Sequence, residues 1–355
     1  MTRLHITIKT LSPLYAGALK PYGSFLETHT QISGALLRGA VAGKTLLDCA
    51  APELINNHEA CAVKDLCPFY YLITGVNFPT CSIAEGSFPT EPPLRTTVTC
   101  KAAPGFASQS TTHEPKHGVF DTLLKHLIVN ELHHFGARPH KLPPQRCEHL
   151  VNGGYPCQAA LEPFGKRYVR EGTGRYHPAP TLRTQRMTHV GINRRRESAE
   201  RGLLFSLQSI VGAVSDGKPL SNAAFTGTMT VPDAWEDVRI DEFKRLLEGI
   251  VRLGGEQTYG LGRVEGTIRE VDDEAEDITT RIGEFNEKLK EVWSEYPAAD
   301  KSSALDGDYL TVDLLTPALL HTADGTSTVQ ITAGMLRQRA EALGFSHLPD
   351  IAEVA

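Results

Sequence analysis

Ten lysines and arginines lie between Lys166 and Arg201, against three acidic residues, in a chain whose formal charge is −6 over 355 residues. Arg183 and Arg186 lead through His189 to the triplet Arg194, Arg195 and Arg196. Cations this dense repel one another unless an anion lies among them, and a nucleic-acid backbone is the anion that matches an extended run. The run ends in the apolar stretch Leu203–Ile210, which reads as a buried strand. The pattern predicts a cation-rich loop feeding a rigid strand, and for the run alone two readings stay open, a solvated surface loop or a binder for a phosphate backbone.

A second constellation is the turn Gly254-Gly255-Glu256-Gln257-Thr258-Tyr259-Gly260-Leu261-Gly262-Arg263, with four glycines in nine positions. Glycine permits positive φ and close backbone approach, so such a turn can aim amides at phosphate oxygens. Tyr259 adds a face for stacking and Arg263 a charge. A helical pattern precedes the turn and a strand pattern follows it, which excludes a dinucleotide fingerprint, and no P-loop Lys-Ser/Thr follows.

The thiols are the third. Seven cysteines are an odd number without a secretory signal shape before them, which argues against a disulfide framework and for a reducing, cytoplasmic setting. Cys147 and Cys157 are ten positions apart, Cys61 and Cys67 six, and no C-x-x-C pair occurs. Two readings stay open: buried reduced thiols, or a structural zinc held by Cys100, Cys147 and Cys157 with His149 as a possible fourth ligand. For acid–base chemistry the candidates are His29, His117 and His189 with Arg38 or Arg194, but no spacing pairs them.

These residues need elements to hold them. Arg3–Leu11 alternates with period 2 and reads as a strand. Ser33 is an N-cap for a helix over Ala35–Cys49, with Arg38 in its first turns, where phosphate meets helix amides. Pro52–Leu182 is irregular and reads as an insertion, with a strand-like run at Pro68–Val76 and helical spacing over Gly118–His134. Phe225–Val231 reads as a strand, Ile240–Leu253 as an amphipathic helix, and Val264–Val271 as a strand. The order strand, helix, insertion, strand, strand, helix, strand predicts an α+β, ferredoxin-like (RRM-type) βαββαβ domain whose open sheet face could receive single-stranded RNA. Residues 272–305 read as an acidic helical linker. At Tyr309–Leu320 the opening pattern returns, with Leu315-Thr316-Pro317-Ala318 answering Leu11-Ser12-Pro13-Leu14, and Thr332–Leu343 reads as the helix that follows. Residues 306–355 would then begin a second, incomplete copy. No window is apolar enough for a membrane span.

Together these motifs resemble the RAMP superfamily of CRISPR-associated proteins. The glycine turn with its helix and strand is similar to that superfamily's glycine-rich signature, and Thr30–Ala42 (TQISGALLRGAVA) to its conserved helix start. Cys100-Lys101 with Gly105-Phe106, His117–Asp121 and His189–Ser206 resemble a narrower family, the Csx-ten subunit of type III-D effector complexes. The match runs in order over residues 1–271, as one RAMP domain with its insertion at about 52–182. No second glycine turn is found. The resemblance implies a cytoplasmic ribonucleoprotein role in antiviral defence: binding the 5′ handle of the guide RNA (crRNA) and contacting the large and backbone subunits. It implies RNA contacts at Arg38, Lys101, His189, Arg194, Arg195, Arg196, Tyr259, Gly260, Gly262 and Arg263. Asp121 falls in a family-like motif and reads as structural or helix-capping. Two alternatives remain: a metal-independent endoribonuclease that processes the guide precursor, and a scaffold subunit without RNA contact.

Overall fold

The computed structural model describes residues 2–17, 24–47, 49, 51–54, 57–73, 75–85, 88–111, 113–134, 146–151, 154–170, 176–215, 217–271, 278–294, 309–311, 319–322 and 324–342. The chain forms two compact units, Met1–Asp121 with Pro144–Glu276, and Thr122–Pro143 with Asp277–Ala355.

In the first unit β1 (Arg3–Thr10) turns Leu4, Ile6 and Ile8 to one side, all buried. Helix α1 (Gly34–Leu46) starts where the Ser33 hydroxyl accepts the Leu36 amide at 3.2 Å, and it buries Leu37 and Val41, one turn apart. Strands β2 (Ser82–Glu85), β3 (Phe88–Glu91), β4 (Thr97–Cys100) and β5 (Val119–Asp121) follow. Helix α2 (Leu123–His134) falls in the second unit. The chain then returns through β6 (Leu161–Pro163), β7 (Tyr168–Arg170) and β8 (Tyr176–Pro178) to the long pair β9 (Thr181–Asn193) and β10 (Ser198–Ser215). Strand β11 (Ala224–Thr230), helix α3 (Asp237–Glu248) and β12 (Val264–Val271) complete the unit.

The main sheet has the order β8-β7-β3-β2-β11-β1-β12. Its centre, β2-β11-β1-β12, is antiparallel throughout. Helix α1 lies between β1 and β2 in the chain, α3 between β11 and β12. Both helices share one core with the sheet: Leu37, Val41, Phe243 and Leu247 meet Leu4, Ile6, Ile8 and Phe225. Each such side chain contributes about 2 kcal/mol of transfer free energy, and this core fixes the sheet on which the loops are mounted.

Three expectations need correction. The second central strand is Ser82–Glu85, inside the stretch read as insertion, whereas Leu203–Ile210 belongs to β10 in a separate sheet. Pro68–Val76 is not a strand. Phe69–Ile73 makes a π-helical turn that buries Leu72 and Ile73 in the main core, a duty an apolar run can perform in either conformation. The sheet face away from the helices is not an open aromatic platform. On the four central strands it carries His5, Thr7, Thr226, Thr228 and Thr267 together with the cations Arg3, Lys9 and Arg269, with His5 and Thr226 buried and the His5 Nδ1 3.2 Å from the Thr228 hydroxyl. Threonine offers bases nothing to stack on.

In the second unit α2 packs on α4 (Ile278–Ser294) through Ile128, Val129, Leu132 and Leu289, with Trp293 and Tyr309 alongside. The Asn286 amide donates to the Tyr309 carbonyl at 2.7 Å, and its oxygen accepts the Tyr309 amide at 2.8 Å. The stretch expected as a solvated linker thus holds a helix with a buried side. Helix α5 (Ala333–Ala342) is capped by Thr332, whose hydroxyl accepts the Met335 amide. Leu315–Ala318, which suggested the second copy, lies outside the described residues. No described helix is long and apolar enough to cross a membrane.

Candidate nucleic-acid interface and metal centre

The arginine-rich segment is a strand, not a loop. Strands β9 and β10 form an antiparallel ribbon in which Arg186 opposes Gln208, His189 opposes Phe205 and Val190 opposes Leu204, with a bulge between Val190 and Ile192. The ladder satisfies the backbone, so polar residues can occupy both faces of a ribbon that reaches into solvent. At its tip the Asn193 side-chain oxygen accepts the amides of Arg195 and Arg196 at 3.0 and 3.2 Å. Glu197, at φ +50, closes the turn. Arg183, Arg186, Arg194, Arg195 and Arg196 are all exposed.

One face of the ribbon lies on the glycine turn. Leu207 is buried with Tyr15 and Leu261, and Met187 packs beside them. Next along this face the His189 ring stacks on Phe205, with centroids 5.1 Å apart and planes at 20°. Tyr259 also packs against His189, with centroids 5.0 Å apart and planes at 48°. Tyr259 is 60% exposed, so the three-ring column opens to solvent. The His189 Nε2 is buried and has no hydrogen-bond partner among the described residues. On the opposite face the Arg186 guanidinium sits 4.6 Å above the Phe25 ring. Val190 and Leu204 stand exposed there, directly opposite each other. Phe25, Phe205 and Arg186 were not singled out by the sequence. The alternation of Met187 and His189 on one face and Arg186 and Val190 on the other would have pointed to them, had the segment been read as a strand.

The glycine turn is a latch rather than a cradle of free amides. The Gly255 amide donates to the Tyr15 carbonyl at 3.1 Å, Gly262 to Pro13 at 2.8 Å, and Arg263 to the Ser12 hydroxyl at 2.9 Å. Tyr259 and Gly260 donate to carbonyls of the turn itself, and Gly262 returns its carbonyl to the Leu253 amide at 2.8 Å. The glycine at 262 answers to packing: it is buried at φ +80, and a Cβ there would lie 2.1 Å from the Leu253 carbonyl oxygen. Gly260, at φ +84, is exposed, and a Cβ there would meet nothing. What the turn offers a ligand is therefore side chains, Tyr259 and Arg263, both exposed.

Arg38 is exposed on α1 and Lys101 in the bend after β4. Among the described residues no hydrogen bond or ring contact joins either to the ribbon. Nor does any such contact bring His29, His117 or His189 to Arg38 or Arg194. Asp121 ends β5 and accepts the Thr96 hydroxyl at 2.7 Å.

The thiols converge. Cys100, Cys147 and Cys157 meet His117, with one potential donor atom from each lying within 4.8 Å of all the others. The Cys100 and Cys157 sulfurs are 3.9 Å apart, and the Cys147 sulfur is 3.4 Å from the His117 Nδ1. The imidazole in this group is His117 and not His149, whose ring stacks on it at 4.3 Å and 17°. His117 follows the 101–116 loop and its amide donates to the Ala103 carbonyl, which turns the ring towards Cys147. His149 faces the cluster only with its amide. Burial, and then His149, lowers the His117 pKa below its ordinary value. Burial pushes the Cys147 thiol up to about 11. Burial also opposes ionisation of Cys100, but the amides of Ala103 and Ala102 donate to its sulfur and the net shift is downward. The group could bind a metal ion.

No family model matches this chain, and no curated protein matches it. Among solved structures it is similar to a chain of the type III-B Cmr-beta complex in its apo state, at 13% identity and TM-score 0.34, over 76% of this chain and 98% of that one. It is similar to a chain of a type IV-B CRISPR complex, at 12% identity and TM-score 0.31, over 77% and 91%. Oligomeric Cmr4 from Pyrococcus furiosus matches at 14% identity and TM-score 0.26, over 76% and 99%. At TM-scores below 0.5 these likenesses establish neither the fold nor the role of this chain.

Proposed function

We propose that this chain is a non-catalytic RNA-binding subunit that grips single-stranded RNA along the ribbon and the glycine turn. The observation that carries the reading is the Phe205–His189–Tyr259 ring column, open to solvent at Tyr259, on a ribbon whose tip presents Arg194, Arg195 and Arg196. Splayed bases stack on exposed rings, while guanidinium groups follow the backbone. Arg263 adds a cation on the turn, and Arg186 one on the ribbon's other face. Gly260 allows close approach of a ribose or phosphate, and Gly262 acts through the latch. Arg38 and Lys101 would serve more distant phosphates. The strand order β2-β11-β1-β12 with both helices on one side is in keeping with a ferredoxin-like scaffold.

The finer identity rests on the sequence motifs: a Csx-ten-like subunit of a type III-D CRISPR effector, seated at the 5′ handle of the guide RNA and docked to the large and backbone subunits. The test is a gel on which purified protein meets labelled repeat RNA and a 2′-deoxy copy over a salt series. Intact RNA, bound with handle-dependent affinity that falls steeply with salt, is the expected result. Metal-independent cuts blocked by one 2′-deoxy position would overturn the reading in favour of a processing nuclease. Equal, weak binding of unrelated RNA would favour a scaffold.

A further inference from the structure

The thiol–imidazole group is independent of the RNA surface, and its chemistry selects a ligand. We propose that Cys100, His117, Cys147 and Cys157 bind one structural Zn2+ that clips the chain's insertion together.

Three sulfurs and one imidazole nitrogen form a soft donor set that suits zinc and not the hard, oxygen-seeking cations. The spacing suits a tetrahedral ion. With Zn–S bonds of about 2.3 Å, two sulfurs on a tetrahedron stand about 3.8 Å apart, and a sulfur–nitrogen edge is slightly shorter. Two of the six edges are 3.9 Å, between Cys100 and Cys157, and 3.4 Å, between Cys147 and the His117 Nδ1, and the others lie within 4.8 Å, so a bound ion would draw the donors slightly inward. Four protein donors leave no coordination position for water, which makes the site structural rather than catalytic.

The surroundings are built to hold these donors. The amides of Ala102 and Ala103 point at the Cys100 sulfur, and the His149 amide at the Cys147 sulfur. Amides donating to a thiolate and a ring stacked on the ligating imidazole are the kind of outer contacts that orient metal ligands. The backbone between Cys147 and Cys157 is pinned as a small loop: Gln158 donates to the Cys147 carbonyl at 2.9 Å and Cys157 to the His149 carbonyl at 2.8 Å. Gln158 holds φ +59 to make this turn. A disulfide does not explain the arrangement, because it would consume two sulfurs and leave the third sulfur and the imidazole buried together.

The clip also has a structural task. The sheet β5-β4-β6 has three- and four-residue strands, and among the described residues the thiol cluster buries Cys100, Ala103 and Cys147, with Cys157, Ala159 and Leu161 partly buried against them. The loop system also buries Phe106 against Phe164 and Tyr168, and a metal at the thiols would add folding free energy to that contact. The bend it fixes carries Lys101, whose amide donates to the Ala160 carbonyl across the same cluster at 3.0 Å.

The test is metal analysis of the full chain, purified without added metal and with any affinity tag removed. The expected content is about one zinc per chain, released by a mercurial reagent that titrates thiolates. Replacement by Co2+ should give the intense visible bands of a tetrahedral site together with sulfur-to-cobalt charge transfer. His117→Ala should lose most of the metal, and His117→Cys should retain it with a shifted cobalt spectrum. The cobalt spectrum of the wild-type chain keeps the proposal testable if a ligand variant fails to fold. A folded wild-type chain without metal, whose melting is unmoved by chelators, would overturn the proposal. So would iron in place of zinc, full zinc retention in His117→Ala, or an oxidised Cys100–Cys157 pair in the protein as isolated.

Discussion

His189 lies flat against Phe205 directly across the β9–β10 ladder, with ring centroids 5.1 Å apart. The pairing fixes the imidazole plane from below, and Tyr259 covers it from the side. A base arriving at this surface meets rings whose orientation is already set, so the ordering cost is small. Tyr259→Ala should weaken binding of repeat RNA by about 1–3 kcal/mol, the usual worth of one stacked base. Tyr259→Phe should bind nearly as wild type. Because Tyr259 is mostly exposed, neither change should move the melting temperature. Fluorescence anisotropy and thermal melts check both statements, and full affinity in Tyr259→Ala would remove the ring column from the interface.

In the proposed function the tip arginines act through charge alone. In Arg194→Ala/Arg195→Ala/Arg196→Ala, binding should weaken for every RNA sequence alike. The slope of log K against log salt should flatten by about 2, since each lost phosphate contact on a single strand is worth about 0.7. A salt series on wild type and triple variant reads this directly. Loss of affinity at an unchanged slope would mean that the tip does not touch phosphate.

Gly260 and Gly262 share a positive φ but should respond differently to alanine. At Gly260 a Cβ meets open space, so the cost is that of a left-handed alanine, about 1 kcal/mol. At Gly262 the same Cβ would lie 2.1 Å from the Leu253 carbonyl oxygen, and the latch must part to admit it. The loss there should be about 3 kcal/mol or more. Urea denaturation of the two variants side by side gives the comparison.

Alkaline pH should expose a second contact. Tyr71 donates to Glu242 at 2.7 Å, and burial, then that bond, raise its pKa from 10.0 to about 12. The folded state therefore holds the phenol proton more tightly than the unfolded state. The associated stability is complete below pH 10.0 and is lost as the pH rises towards about 12. Tyr71→Phe should be less stable at neutral pH and should lose less on alkaline titration, as followed by circular dichroism.

How much of this was legible in the sequence depends on which force shapes each element. Strand β12 was read to the residue, and β1 and the Ser33 cap nearly so, because one-sided burial writes alternation and capping into the residues. Strand β2 was missed: Ser82–Glu85 is four residues long, with Ile83 alone pointing into the core beside Phe225. Such a segment carries no period. Strand β9 reads as a loop in the sequence because its half-buried positions, Met187, His189 and Gly191, alternate with exposed Arg186, Thr188 and Val190 in accessibility but not cleanly in polarity. For the candidate metal centre the three thiols are legible by type and location, but the sequence offers His149 as a possible fourth donor where the structure brings His117. Distance along the chain was the only guide available, and the donor that completes the set comes from beyond the 101–116 loop.

The latch beneath Tyr259 joins the two ends of the domain: the turn before the last strand bonds to Ser12, Pro13 and Tyr15, just past the first. A chain emerging from the ribosome therefore makes the arginine-rich ribbon long before it can seat the tyrosine beside it. Until residue 264 and its strand have docked on β1, the nascent protein has charge to attract RNA but no finished surface to retain it. If the ribbon and turn bind RNA as proposed, stable capture needs the turn seated on Ser12, Pro13 and Tyr15, and so needs the last strand of the domain in place.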